Sequence, residues 1–188
     1  MTELYLCRHG ETAWSLSGQH TGKTDIPLTD NGKKQAALLG KYLGKIHFEA
    51  VFSSPRIRAL ETCKGAGFHD VTIDPDLQEW DYGDYEGLTS AEIKKLNPHW
   101  HLFTDGAPGG ELPQEAGKRA DRILQKLRAK KGPVLIFSHG HFSRVLAARW
   151  VGLNVNEARI FVLSPASTSI LGFEREEPVI KLWNFAPI

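Results

Sequence analysis

Two short apolar runs, Leu4-Tyr5-Leu6-Cys7 and Pro133-Val134-Leu135-Ile136-Phe137, stop abruptly at polar turns built around histidine, Arg8-His9-Gly10 and Ser138-His139-Gly140-His141. A run of four or five apolar residues without polar alternation is too short for a core helix and reads as a strand buried on both faces. Such strands belong to sheets covered by helices on two sides, so the chain should alternate strands with amphipathic helices. Several segments fit. From Asp30 onwards Leu39, Tyr42, Leu43 and Ile46 fall at i, i+3, i+4 and i+7, one face of a helix. Residues 50–53 predict a second strand, and Ser54-Pro55 supplies an N-cap and a first-turn proline for a helix through about Lys64. Val71-Thr72-Ile73 predicts another strand. Thr89-Ser90-Ala91-Glu92 has capping-box spacing for a short helix ending near Pro98. Ala116, Ala120, Ile123, Leu124 and Leu127 share a helical face, and a helix is expected from about Phe142 to Val151. Residues 169–173 and 179–183 predict two late strands. The expectation is an α/β fold, a three-layer α/β/α sandwich with a mostly parallel central sheet. A length of 188 residues makes this a single domain, 1–188.

In such sheets ligands bind beyond the carboxyl ends of the strands. Those ends carry Arg8-His9-Gly10, Ser53-Ser54, the start of an acidic, aromatic stretch from Gln78 to Gly87, and Ser138-His139-Gly140-His141. Of 8 histidines, His9, His139 and His141 occupy such ends, whereas His47, His69, His99 and His101 fall in apparent loops and are expected in solvent.

A neutral imidazole whose one nitrogen donates to a carbonyl presents the other as a nucleophile towards phosphorus. Phosphoryl transfer is mostly positioning and charge neutralisation, so cations should surround it. Arg8 is one. Arg56 and Arg58 are two more, in a helix's first turn where free amides already favour an anion. His139 can hydrogen-bond a phosphoryl oxygen. A proton for the leaving oxygen points to Glu79, since its neighbours Trp80 and Tyr82 would desolvate a carboxyl and raise its pKa towards neutrality; Asp81, Asp84 and Glu86 are rivals that composition does not separate. His139 and His141, two apart on an extended segment, can share a metal ion. The Asp and His of a binuclear hydrolase do not follow them, however, and no carboxylate cluster is near in sequence, so no metal is expected.

Charge excludes other classes. Lys plus Arg number 23 and Asp plus Glu 22, a formal charge of +1, which provides no global field for a polyanion; a nucleic acid is not expected as a partner, and a small phosphorylated molecule is. Two cysteines build neither a disulfide framework nor a zinc cluster and fit the reducing cytoplasm. No apolar run approaches a membrane span, and the N-terminus carries no secretion signal, so no membrane association is expected.

These residues resemble the histidine phosphatase superfamily, the family of cofactor-dependent phosphoglycerate mutases and the phosphatase half of the fructose-2,6-bisphosphate enzyme. The resemblance runs in order through Leu6-Cys7-Arg8-His9-Gly10-Glu11-Thr12 with Trp14, then Thr21-Gly22, Asp25, Pro27-Leu28-Thr29 and Gly32. It continues through Ser53-Ser54, Arg58-Ala59 and Thr62, then Glu79, Tyr82-Gly83, Gly110-Glu111 and Ser138-His139-Gly140. It implies a phosphoglycerate mutase-like fold, no cofactor and no metal. His9 would accept the phosphate; Arg8, Arg58 and His139 would form its pocket; Glu79 would be the acid and base. Ala59 and Thr62 select Arg58 over Arg56, since the family's arginine is followed by a small residue and then, three further on, threonine.

The sequence is more closely similar to the sedoheptulose-1,7-bisphosphatase branch, through Trp14-Ser15-Leu16-Ser17-Gly18-Gln19, the stretch from Glu79 to Gly87, and His139-Gly140-His141 with Arg144. That likeness implies substrate contacts from Ser15, His20, Thr21, Gly22, Ser54, Tyr82, Gly140 and Arg144, with Arg144 reaching back over the strand ends to a second phosphate. Mutases carry Asn where Ser15 stands and a C-terminal tail that shields the phosphohistidine, whereas this chain ends at Ile188, just after Leu182-Trp183-Asn184, so hydrolysis is favoured. Leu112 follows Glu111 where the family carries Ser or Thr. The expected activity is metal-independent hydrolysis of phosphorylated sugars; a mutase, a phosphoprotein phosphatase and an idle phosphate-binding module are the alternatives.

Overall fold

The structure, a computed structural model, describes residues 2–187. In chain order the strands are β1 (Leu4–Arg8), β2 (Ala50–Ser53), β3 (Thr72–Ile73), β4 (Val134–Ser138), β5 (Thr168–Glu174) and β6 (Glu177–Phe185). The helices are α1 (Ala13–Ser17), α2 (Asp30–Leu43), α3 (Ile57–Gly65), α4 (Ser90–Leu96), α5 (Leu102–Asp105), α6 (Pro113–Arg128) and α7 (Gly140–Trp150). One six-stranded sheet runs β3-β2-β4-β1-β5-β6. The first four strands in that order are mutually parallel, and the late pair is antiparallel, β5 to β1 and β6 to β5.

The two central apolar runs are buried on both faces, as their composition requires. Leu4, Leu6, Val134 and Ile136 enter one core with Ala116, Ala120, Ile123 and Leu127 of α6 and Phe142, Val145 and Leu146 of α7. Cys7, Leu135 and Phe137 enter a second core with Leu39 and Leu43 of α2 and Cys63 of α3. The alternation along one strand thus feeds two helical layers.

Two element starts differ from the sequence expectation. α3 begins at Ile57, not at Pro55: proline keeps the residue before it extended, and Ser54 still donates its N–H to Phe137 O at 3.0 Å beside β4. Arg56 is the N-cap residue. α7 begins at Gly140 with an extended His139 (φ −128°, ψ 177°) as its N-cap residue, so His139-Gly140-His141 is a helix start and not an extended segment. The expected strand at residue 71 shrinks to an exposed two-residue edge, β3.

Candidate active site

Parallel pairing of β1 and β4 sets Arg8 against Ser138, and His9 N–H donates to Ser138 O at 3.0 Å. The two histidines that follow adjacent strand ends are therefore neighbours, with ring centroids 5.3 Å apart. Gly10 is needed at this turn because a Cβ there would lie 2.7 Å from Gly32 O at the head of α2. Gly10 N–H donates to Thr62 Oγ1 at 2.9 Å, and that hydroxyl donates to Arg58 O at 2.7 Å, which docks α3 beneath the turn. His9 donates through Nδ1 to Gly10 O at 2.8 Å, leaving the lone pair on Nε2. Burial, then the Arg58 and Arg8 guanidiniums, hold its pKa well below the usual 6.5, so the ring is neutral.

Arg58 is wholly buried and donates to Thr24 O at 3.0 Å, Thr21 O at 2.8 Å and Gly22 O at 3.0 Å. Arg8 donates to Leu163 O. Both keep a buried Nε with no partner among the described residues, and so does Nδ1 of His139. Each such group costs about 1–3 kcal/mol unless something accepts from it; three of them beside a free imidazole nitrogen fit an oxyanion. A Cβ on Gly140 would sit 3.3 Å from the Arg8 Cζ and Nε, so that glycine leaves room for the guanidinium. Arg56 also has a buried unpartnered Nε, but it is the N-cap residue of α3, and its terminal nitrogens donate to Lys23 O at 2.7 Å and Gln78 Oε1 at 2.5 Å.

Glu79 differs from the sequence expectation in its surroundings. Oε1 accepts from the N–H groups of Trp80 at 2.9 Å and Phe142 at 2.8 Å, and Oε2 from His141 N–H at 3.0 Å. The amino end of α7, not an aromatic pocket, holds this carboxylate, and the Trp80 indole instead donates to Glu111 O at 2.8 Å. Its rivals have other tasks: Glu86 accepts from Gly22 and Thr24 N–H, and Asp81 pairs with Lys23 at 2.6 Å.

A cleft of ≈ 190 Å³ is lined by Arg8, His9 and Glu79, and by Ser15, His20, Thr21, Tyr82, Gly140 and Arg144 among the expected substrate contacts. Arg58 and His139 are wholly buried and are not part of that lining. Two expected contacts are corrected. Gly22 holds Arg58 through its carbonyl and does not line the cleft. Ser54 is wholly buried and bonds to His139 Nε2 at 2.7 Å. Arg144 lines the cleft but is less free than expected: it donates to Ala158 O at 3.1 Å and Arg159 O at 2.9 Å, over the Phe103 ring at 4.5 Å.

The sequence assigned no substrate contact to Gln19, Ser90, His141 or Leu163, which also line the cleft. For Leu163 no local signal exists, since only its backbone carbonyl, 155 positions from Arg8, matters. His139 Nε2 bonds to Ser54 Oγ and His141 Nδ1 to Tyr82 Oη. Among the described residues no three His, Cys, Asp or Glu side chains converge as metal ligands, and no helix is long and apolar enough to cross a membrane. Cys7 and Cys63 are buried free thiols pushed up to about 12 by burial. His47, His69, His99 and His101 are exposed, as expected.

Comparison with known proteins identifies the family. The histidine phosphatase superfamily (branch 1) model matches residues 4–186. An acid phosphatase of Mycobacterium tuberculosis is 45% identical over 175 residues, 91% of this chain and 86% of that protein. A sedoheptulose 1,7-bisphosphatase of Saccharomyces cerevisiae is 34% identical over 185 residues, 81% of this chain and 68% of that protein. The solved structure of a Mycobacterium tuberculosis open reading frame product, 41% identical, superposes with a TM-score of 0.94 over 100% of this chain and 99% of that one. The chain belongs to the histidine phosphatase superfamily, branch 1, and is a phosphoric monoester hydrolase.

Proposed function

We propose that this phosphatase hydrolyses phosphorylated sugars, sugar bisphosphates such as sedoheptulose-1,7-bisphosphate among them, without a metal ion and through a phosphohistidine at His9. The observation that carries the mechanism is the group of unpartnered buried donors, Arg8 Nε, Arg58 Nε and His139 Nδ1, beside an imidazole whose Nδ1 is committed to Gly10 O. The lone pair on His9 Nε2 forms the N–P bond as the P–O bond to the sugar breaks, and Glu79 gives the leaving oxygen its proton. Water then attacks phosphorus, its proton passes to Glu79, and the N–P bond breaks with the electron pair returning to Nε2. Arg8, Arg58 and His139 neutralise charge on the equatorial oxygens in both steps, the largest service a protein performs in such transfers. The sugar is supported by the likeness to the yeast bisphosphatase and by a cleft wall that includes Ser15, Gln19, Thr21 and Ser90, uncharged groups suited to hydroxyls.

The test is phosphate release from sugar mono- and bisphosphates, phosphoglycerate and a phosphoserine peptide, with and without chelator. Chelator-insensitive turnover led by a sugar phosphate is expected, with an acid-labile, alkali-stable phosphoenzyme in the wild type and none in His9→Ala. Turnover that survives in His9→Ala overturns the mechanism, and a preference for phosphoglycerate or the peptide overturns the substrate.

A further inference from the structure

Three side chains in the cleft form a polar cluster of their own. Tyr82 Oη lies 2.5 Å from His141 Nδ1. The His20 and His141 rings are nearly parallel, with 5.8 Å between centroids and 15° between planes, and Tyr82 meets His20 edge-on at 4.8 Å. Trp100 and Phe103 back the two imidazoles at 5.6 Å and 5.5 Å. No step of the phosphoryl transfer uses His141.

The hydrogen bonds set the polarity of each ring. His20 Nδ1 lies 2.8 Å from Leu88 O; a carbonyl only accepts, so Nδ1 carries a proton, and in the imidazole form of the ring Nε2 is an acceptor. Burial and the Arg144 guanidinium hold His141 well below 6.5, and burial with Glu79 pushes the Tyr82 phenol well above 10.0, so both are neutral. His141 is the phenol's one protein partner among the described residues. The arrangement that satisfies the phenol proton within the protein directs it to His141 Nδ1, which puts the ring's own proton on Nε2. Neither Nε2 meets a protein partner among the described residues, and both residues line the cleft. One imidazole thus offers a donor and its neighbour an acceptor. A hydroxyl complements both at once. A phosphate dianion or carboxylate has no proton for His20, and an ammonium has no lone pair for His141.

We propose that His20 and His141 are a hydroxyl-reading pair, with Tyr82 as the residue that positions His141, and that they select phosphorylated polyols and sugars over phosphomonoesters that place a charged group or a bare alkyl chain there. This rests on the phosphorylated-sugar reading and names the chemistry by which the cleft recognises it.

The experiment compares kcat/KM for two matched pairs, glycerol phosphate against propyl phosphate and ribitol 5-phosphate against pentyl phosphate. The wild type should favour the hydroxylated member of at least one pair by about 10- to 100-fold, the range two neutral hydrogen bonds supply. That ratio should fall about three- to tenfold, one neutral hydrogen bond's share, in His141→Phe and in Tyr82→Phe. A wild-type ratio near one, or a preference that survives in both variants, overturns the pair while the phosphatase stands. Hydrolysis of p-nitrophenyl phosphate with no turnover of any sugar or polyol phosphate removes the sugar reading itself and the pair with it. A second measurement needs no variant: ¹⁵N spectra of the wild-type imidazoles should show His20 protonated on Nδ1 and His141 on Nε2. The same tautomer in both rings overturns the proposal.

Discussion

His139 Nε2 and Ser54 Oγ lie 2.7 Å apart, and neither residue has any exposed surface. The serine hydroxyl also accepts from Arg56 N–H at 3.2 Å, so its own proton has one acceptor left, the histidine Nε2. The ring proton is thereby placed on Nδ1, the nitrogen with no protein partner, where it serves a phosphoryl oxygen. Ser54→Ala removes this constraint. We expect kcat to fall about tenfold and stability by about 1–3 kcal/mol, the cost of a buried group left unpaired. Steady-state kinetics with denaturant melts checks it, and an unchanged kcat would show that the tautomer is set elsewhere.

Gly140→Ala should separate phosphate binding from folding. The helical start accepts alanine readily, but the new Cβ would meet the Arg8 guanidinium at 3.3 Å, and Arg8 is tied to Leu163 O on its other side. Loss of one charge-assisted bond to phosphate is worth about tenfold or more. The inhibition constant of inorganic phosphate should rise by that factor while the melting temperature holds; an unchanged constant would mean that Arg8 yields without leaving the phosphate.

Glu79→Gln should lower turnover by about 10²- to 10⁴-fold, the usual worth of a general acid and base. The loss should be smaller for the phosphorylation step with p-nitrophenyl phosphate, whose leaving group needs no proton. The structure adds a second effect. Both carboxylate oxygens accept backbone N–H groups, so the amide of glutamine turns a donor towards a donor, and the melting temperature should fall as well. Equal kinetic losses on both substrates would assign Glu79 to holding α7 alone.

Acid should destabilise the fold through three buried imidazoles. Burial and neighbouring arginines hold His9, His139 and His141 well below 6.5, whereas all three protonate near 6.5 in the unfolded chain. Below that pH the unfolded state binds more protons, so stability falls as pH falls, by about 1.4 kcal/mol per unit for each ring. The loss begins near 6.5 and continues down to the folded-state pKa values. Urea melts between about pH 7 and pH 5 measure the slope, and His139→Asn should reduce it by one ring's share. A flat profile across that window would show that the rings protonate within the fold.

What the sequence by itself determined is local. The strands β1 and β4 follow from apolar runs too short for helices, the Thr89–Glu92 box closes as its spacing requires with Thr89 N–H to Glu92 at 2.8 Å, and α6 buries the face its period marks. Arg8, His9, Arg58, Glu79 and His139 were legible because each stands at a strand end, at a helix start or in a recognisable motif. The tertiary structure alone decided what those groups bond to. Ser54 reaches His139 across 85 positions and Arg8 reaches Leu163 across 155; Glu79 finds the amides of α7 across 62 and 63. The antiparallel course of β5 and β6 beyond β1 and the stacking of His20 on His141 belong with them. Caps and periodicity depend on residues within one turn of each other, whereas these pairings depend on which strand lies beside which and in what register, a property of the whole sheet that no short stretch of chain encodes.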